Sequence, residues 1–136
     1  MTLKERTDAL ASVPVFAGLS RRSLERIAHI AKDLELPAGR VLIEPRAKGS
    51  GMFVLLDGAV TVGARGNRAR ELGPGDIVGE LALLTPEAVR TARVRAKTPV
   101  RCLAISRGDF RKILTDEPKV AIQVLETVAT RLASPL

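Results

Sequence analysis

The sequence predicts an α+β domain with an opening helix, a run of short antiparallel strands and two helices at its C-terminal end. Three observations predict it. Apolar residues recur at helical spacing from Leu24. Short apolar runs punctuated by turn residues follow, with an Asp57-Gly58 pair that reads as a hairpin turn. A second helical stripe begins at Val120.

Each element has its own local reason. Ser20 is a fair N-cap for a helix through about Asp33, with Leu24, Ile27, Ala28, Ala31 and Leu34 as its apolar stripe. Pro37-Ala38-Gly39 breaks that helix and leads into the strand Val41-Leu42-Ile43. The continuous run Met52 to Leu56 reads as a buried strand, and the hairpin turn passes into Ala59 to Val62. Gly63 to Asn67 form the next turn and Gly73-Pro74-Gly75-Asp76 another. Strands then run from about Thr91 to Lys97 and from Val100 to Ile105. Ser106 caps a helix to about Leu114. A last helix starts near Pro118, a residue tolerated in a first turn, and carries the stripe Val120, Ala121, Val124, Leu125, Val128 and Leu132.

Composition narrows the function classes. At 136 residues the chain is long enough for one core, so a single domain over 1–136 is expected, its core about 13–132. No apolar run approaches the ~18 residues of a membrane-spanning helix. Residues Met1 to Arg6 include an acid and lead into no long apolar run, so no signal peptide is expected. The single cysteine, Cys102, alternates with its neighbours as a buried, inert strand residue, and it favours a reducing cytoplasm. His29 is the only histidine and falls off its helical stripe. With neither a metal cluster nor a nucleophile–base pair, the expectation is a protein that is not an enzyme and holds no metal.

The net charge of +7 raises nucleic acid as a partner. The basic residues form two loose groups, Arg65, Arg68 and Arg70 near a loop, and Arg93, Arg95 and Lys97 along a strand. Alternation puts the last three on one face and Ala92, Val94 and Ala96 on the other. With only three aromatic residues in the chain, stacking on bases has little to work with, and a solvated outer face is expected. Specific nucleic-acid binding is therefore not expected. The same parity places Arg90 on the inner, apolar face, where it needs an anionic partner, either a ligand phosphate or Glu80.

The most informative stretch is Gly79-Glu80-Leu81-Ala82-Leu83-Leu84, followed after five residues by Arg90-Thr91-Ala92. Gly79 removes the side chain where a ligand would approach the backbone. The helix formers after it allow one turn whose free N–H groups suit a phosphate. Arg90 can close on that phosphate with forked, charge-assisted hydrogen bonds. Glu80 is repelled by a phosphate unless the ligand also presents hydroxyl donors, because an ionised carboxylate only accepts. Phosphate with hydroxyls describes a nucleotide. The other reading is a turn glycine with an internal Glu80–Arg90 ion pair.

This pattern resembles the phosphate-binding cassette of cyclic nucleotide-binding domains. Its spacing and its tail through Thr98 are similar to the sensor domains of the bacterial cAMP receptor and Crp/Fnr regulators, over about Val15 to Leu132. The resemblance implies an antiparallel β-roll (jelly-roll) with an N-terminal helix, a short cassette helix and two C-terminal helices. It implies that Glu80 accepts the ribose 2′-hydroxyl and that Gly79, Leu81 and Ala82 supply backbone near the ribose and phosphate. Arg90, the Thr91 hydroxyl and the Ala92 N–H would hold the cyclic phosphate. Val60 and Val62 would line the base pocket, and Arg131 matches a position on the final helix that closes over the base. Val78 and Arg93 depart from the family pattern, which often has an aromatic before the glycine and a small or aromatic residue after the alanine.

Bacterial regulators of this type continue into a long dimerisation helix and a DNA-binding domain, whereas here Pro135 discourages extension. The expectation is a sensor for a cyclic nucleotide, cAMP more than cGMP, acting through an unidentified protein partner as a monomer or weak dimer. A β-roll interaction module with a different ligand or none is the alternative. A DNA-binding regulator acting through its basic surface is the second.

Overall fold

A reciprocal cap starts the chain's first helix, α1 (Leu3–Ala11). The Glu5 N–H donates to the Thr2 hydroxyl at 3.1 Å, and the Thr2 N–H donates to the Glu5 carboxylate at 3.0 Å. This helix was not expected, although Thr2-x-x-Glu5 is a capping-box pattern. The computed structural model describes residues 1–44, 51–64, 69–79 and 92–133, without the side chains of Ala64 and Leu132.

A 3-10 turn at Pro14–Phe16 leads to α2 (Arg21–Ile30), whose Ser20 cap accepts from the Ser23 N–H at 3.1 Å. The expected helix to Asp33 ends early. Ala31 is extended, and Lys32–Leu36 forms strand β1. Leu34 and Leu36 alternate along that strand opposite Cys102 and Val100, so a period of two displaces the helical period that Leu34 had suggested.

The remaining elements are β2 (Val41–Ile43), β3 (Gly51–Asp57), β4 (Val60–Ala64), β5 (Arg70–Leu72), β6 (Ile77–Val78), β7 (Ala92–Ala96), β8 (Val100–Ser106), α3 (Arg107–Asp116) and α4 (Pro118–Ala133). The strands form two antiparallel sheets ordered β1-β8-β3-β6 and β2-β7-β4-β5, an α+β roll of the expected kind. Strands β5 and β6 had not been foreseen. Strand β4 continues through Gly63 and Ala64, where the next turn had been expected, and residues 65–67 of that turn lie outside the described residues, as do Arg65 and Arg68.

The Asp57-Gly58 turn is not a hairpin. Strand β3 lies in one sheet and β4 in the other, so the turn carries the chain between sheets. It locks onto the β7–β8 turn: the Lys97 N–H donates to the Ala59 carbonyl at 2.9 Å, and the Ala59 N–H to the Thr98 hydroxyl at 2.9 Å. Gly58 has φ +84°, and a Cβ there would lie 2.1 Å from the Pro99 carbonyl oxygen. Only glycine fits.

Two apolar clusters result. One lies under the helices and includes Leu10, Phe16, Met52, Val54, Leu103, Ile105, Phe110, Val120 and Val124. The other fills the roll, with Ile43, Leu55, Val60, Val78, Val94, Ala96, Val100 and Cys102. Strands β3 and β8 feed both, which explains their continuous apolar runs.

Ser106 caps α3 as expected, accepting from the Asp109 N–H at 3.2 Å, and α4 begins at Pro118. The stripe on α4 needs correction. Val120 and Val124 are buried and Val128 packs beside them, but Leu125 is 63% exposed and so is not part of the buried line. The buried residues follow i, i+4, i+8, and Leu125 falls off that line. Leu132's side chain and Pro135 lie outside the described residues.

Candidate functional site

Register decides which side chains face into the roll. On β4, Val60 lies opposite Leu72 of β5 and Ala96 of β7, while Val62 lies opposite Arg70 and Val94. Directly opposed residues share a sheet face. Val60, Val62, Arg70, Leu72, Val94 and Ala96 therefore form one inward face, with Val60 fully buried and Val62 half-buried. The outward residues are Arg93, Arg95 and Lys97, all exposed, as the alternation predicts. Arg93 pairs with Glu44 at 3.3 Å and Lys97 with Glu71 at 2.9 Å. Such exposed pairs contribute at most about 1 kcal/mol each.

The approach to Gly79 is tightly held. The Gly73 N–H donates to the Asp76 carboxylate at 2.9 Å, the Asp76 N–H to the Gly73 carbonyl at 3.0 Å, and the Leu55 N–H to the Asp76 carbonyl at 2.9 Å. Strand β6 then buries its two side chains in opposite directions: Ile77 joins the helix-side cluster and Val78 the roll interior. Gly79 itself has φ +90°, and a Cβ would stand 3.0 Å from the Gly51 carbonyl oxygen and 3.3 Å from the Ile43 Cδ1. Its lack of a side chain thus has an internal cause, a left-handed backbone pressed against β3, in addition to the ligand approach expected from sequence.

Gly79 and Ala92 are the two described ends of the motif. Gly79 follows the edge strand of one sheet, and Ala92 starts an interior strand of the other, where it pairs with Ala64. Glu80, Leu81, Ala82, Arg90 and Thr91, together with the short helix expected after Gly79, lie outside the described residues.

The final helix reaches the same corner. The Arg131 guanidinium donates to the Ile77 carbonyl at 2.7 Å, two residues before Gly79. The Arg70 guanidinium donates to the Arg131 carbonyl at 3.1 Å. Arg70 had been grouped with Arg65 and Arg68 near a loop, yet it lies on a strand, half-buried and bonded to a helix end. The signal that would have found it is its parity with Leu72 in Arg70-Glu71-Leu72, which was not used.

Elsewhere the chemistry is quiet. Cys102 is fully buried, and burial, helped by the Asp33 charge, pushes its thiol up to about 11. His29 is exposed on α2. Among the described residues, no group of three or more His, Cys, Asp or Glu could hold a metal, and no helix is long and apolar enough to cross a membrane. Among the described residues, large apolar side chains are exposed at Leu3 and Ile30, beside a groove between α2 and α3 floored by the buried Ile27 and Ile113, and at Ile122 and Leu125 on the flank of α4.

Comparison with known proteins agrees with this geometry. The profile of the cyclic nucleotide-binding domain matches residues 33–117. A cyclic nucleotide-gated potassium channel of Rhizobium etli is 32% identical over 126 residues, covering 93% of this chain and 35% of the channel. A CRP-like cAMP-activated global transcriptional regulator of Mycobacterium tuberculosis is 26% identical over 130 residues, covering 92% of this chain and 58% of the regulator. The crystal structure of the Thermus thermophilus catabolite activator protein superposes with a TM-score of 0.75 at 27% identity, over 88% of this chain and 58% of that one. The chain thus spans about a third to three fifths of these relatives' lengths.

Proposed function

The chain belongs to the cyclic nucleotide-binding domain family, and on that premise we propose that it is a sensor that binds cAMP in preference to cGMP and signals through a protein partner. One observation carries the reading. The ends of the motif, Gly79 and Ala92, emerge from two different sheets beside an inward face that ends in the half-buried Val62, with Arg131 bonded to the strand that leads into Gly79. In this reading Arg90, the Thr91 hydroxyl and the Ala92 N–H hold the cyclic phosphate. Glu80 accepts the ribose 2′-hydroxyl, with Gly79, Leu81 and Ala82 lending backbone. Val60 and Val62 line the base, and Arg131 closes over it. The preference for cAMP rests on the cAMP-activated regulator among the relatives.

The protein is read as a non-catalytic cytoplasmic regulator, a monomer or weak dimer. Its partner would dock on an uncovered apolar surface, either the α2–α3 groove or the α4 flank. A DNA-binding role draws little support from the basic strand, since Arg93 and Lys97 are already paired with carboxylates. The alternative of a β-roll module without this ligand is favoured by Gly79, whose close contact with Gly51 already accounts for a glycine there.

Calorimetry separates the two. Arg90→Leu should weaken cAMP binding by about ten- to a hundredfold, since a hydrogen bond to a charged group is worth about 1.5–3 kcal/mol. The 2′-deoxy ligand should bind more weakly than cAMP to wild type, with little further loss in Glu80→Gln. A folded wild-type protein that takes up neither cAMP nor cGMP would leave the β-roll module as the reading.

A further inference from the structure

Arg70 and Arg131 form a relay of hydrogen bonds between the two sheets and the final helix. A helix leaves its last carbonyls without intrahelical partners, and a cation near them is favoured by the helix dipole. Arg131 lies in the last turn of α4, and its carbonyl is capped by the Arg70 guanidinium at 3.1 Å. Arg70 itself stands on β5, opposite Val62, on the inward face of its sheet. One side chain therefore ties β5 to the end of the final helix.

The other end of the clasp is Arg131's own side chain. Strand β6 is the edge of its sheet, paired on one side with β3. Edge strands leave outward backbone groups in need of partners. The Arg131 guanidinium meets that need at the Ile77 carbonyl, 2.7 Å away. The path runs Val62–Arg70–Arg131–Ile77–Gly79 and joins both sheets to the helix end.

We infer that Arg70 is a positioning residue of the nucleotide site, holding the last turn of α4 so that the Arg131 guanidinium is already in place at the Ile77 carbonyl, two residues before Gly79, when ligand arrives. The inference rests on the nucleotide reading above. Ordering a helix end takes free energy, and a site that is ordered in advance spends less of its binding energy on doing so. Loss of Arg70 frees the last turn, and the ligand must then order it.

Hydrogen exchange and calorimetry on Arg70→Ala, Arg70→Lys, Arg131→Ala and the double variant test this. In ligand-free Arg70→Ala, amides from 128 to 133 should exchange faster while those of β8 stay as in wild type. Binding of cAMP should weaken by about three- to tenfold, as expected for loss of one charge-assisted hydrogen bond acting indirectly. Arg70→Lys keeps a donor and should recover part of both effects. In the Arg131→Ala background, Arg70→Ala should cost little more, because residues acting through one another are not additive. Unchanged exchange at the helix end would overturn the inference, as would fully additive losses of affinity. If wild type binds neither cyclic nucleotide, the functional reading fails with it. Faster exchange in Arg70→Ala would then show that the clasp exists but serves only the fold.

Discussion

The helix-side core and the roll interior draw on opposite faces of the same two strands, yet they are built differently. Met52 and Val54 of β3 and Leu103 and Ile105 of β8 point toward the helices, where Phe16, Phe110 and Leu10 complete a cluster of large, fully buried side chains. Leu55, Val100 and Cys102 point the other way, into a cluster whose fully enclosed members are aliphatic or cysteine, with no aromatic among them. The first region has every large side chain packed on its neighbours. The second opens, along β4 and β5, onto the half-buried Val62 and Arg70. A ligand site requires apolar wall that the protein's own side chains do not fill, together with a few placed polar groups. Under the proposed function, stability belongs to the helix-facing side of the β1-β8-β3-β6 sheet and ligand binding to the roll interior.

The largest effect that tests this division is Phe110→Ala. Truncating a fully buried phenylalanine costs about 3–5 kcal/mol, against about 0.5–1.5 kcal/mol for Ile43→Val inside the roll. Urea unfolding reads both. A Phe110→Ala loss no larger than that of Ile43→Val would show that the helix-side core relaxes to fill the cavity.

Gly79→Ala probes the seam between them. A left-handed alanine costs about 1–3 kcal/mol where the surroundings hold it in place, and its Cβ must also push on the Gly51 carbonyl. Stability should fall by that amount, and cyclic nucleotide affinity should fall with it because Gly79 opens the motif. A variant as stable as wild type would show that β3 yields easily at Gly51.

The smallest effect is a pH dependence inside the roll. Burial raises the Cys102 thiol from 9.0 to about 11. The folded state therefore favours the protonated thiol, a contribution fully present below pH 9.0 and lost as pH rises to about 11. Thermal melts across that window should show a decline that Cys102→Ala lacks. The wild-type thiol should also resist alkylation at neutral pH until the protein unfolds. Rapid labelling of folded protein would mean that the roll interior is more open than its packing implies.

Local chemistry was legible in the sequence wherever one segment carried it. The Ser20 and Ser106 caps, the Gly73–Asp76 turn, the alternation of Arg93, Arg95 and Lys97 against Val94 and Ala96, and the buried Cys102 each depend on neighbours in the chain. The capping box at Thr2 and Glu5 belongs to the same class and was readable, though it was not used. Leu34 was ambiguous because Ala31 and Leu34 fit a helical stripe while Leu34 and Leu36 fit a strand.

By itself, then, the sequence determined the order of the elements other than α1, β1, β5 and β6, the Ser20 and Ser106 caps, the Gly73–Asp76 turn, the inward parity of β7, and the motif that marks the family. Those follow from propensity and periodicity, which act over a few residues. The tertiary structure alone decided that α2 stops at Ile30, that the Asp57-Gly58 turn crosses between sheets, that Leu125 stays exposed, and that Arg70 caps the end of α4. Three of these depend on a partner far away in the chain: Cys102 for Leu34, Pro99 for Gly58, and Arg131, 61 residues on, for Arg70. No local pattern encodes such a partner, because the free energy that selects it appears only when the two surfaces meet.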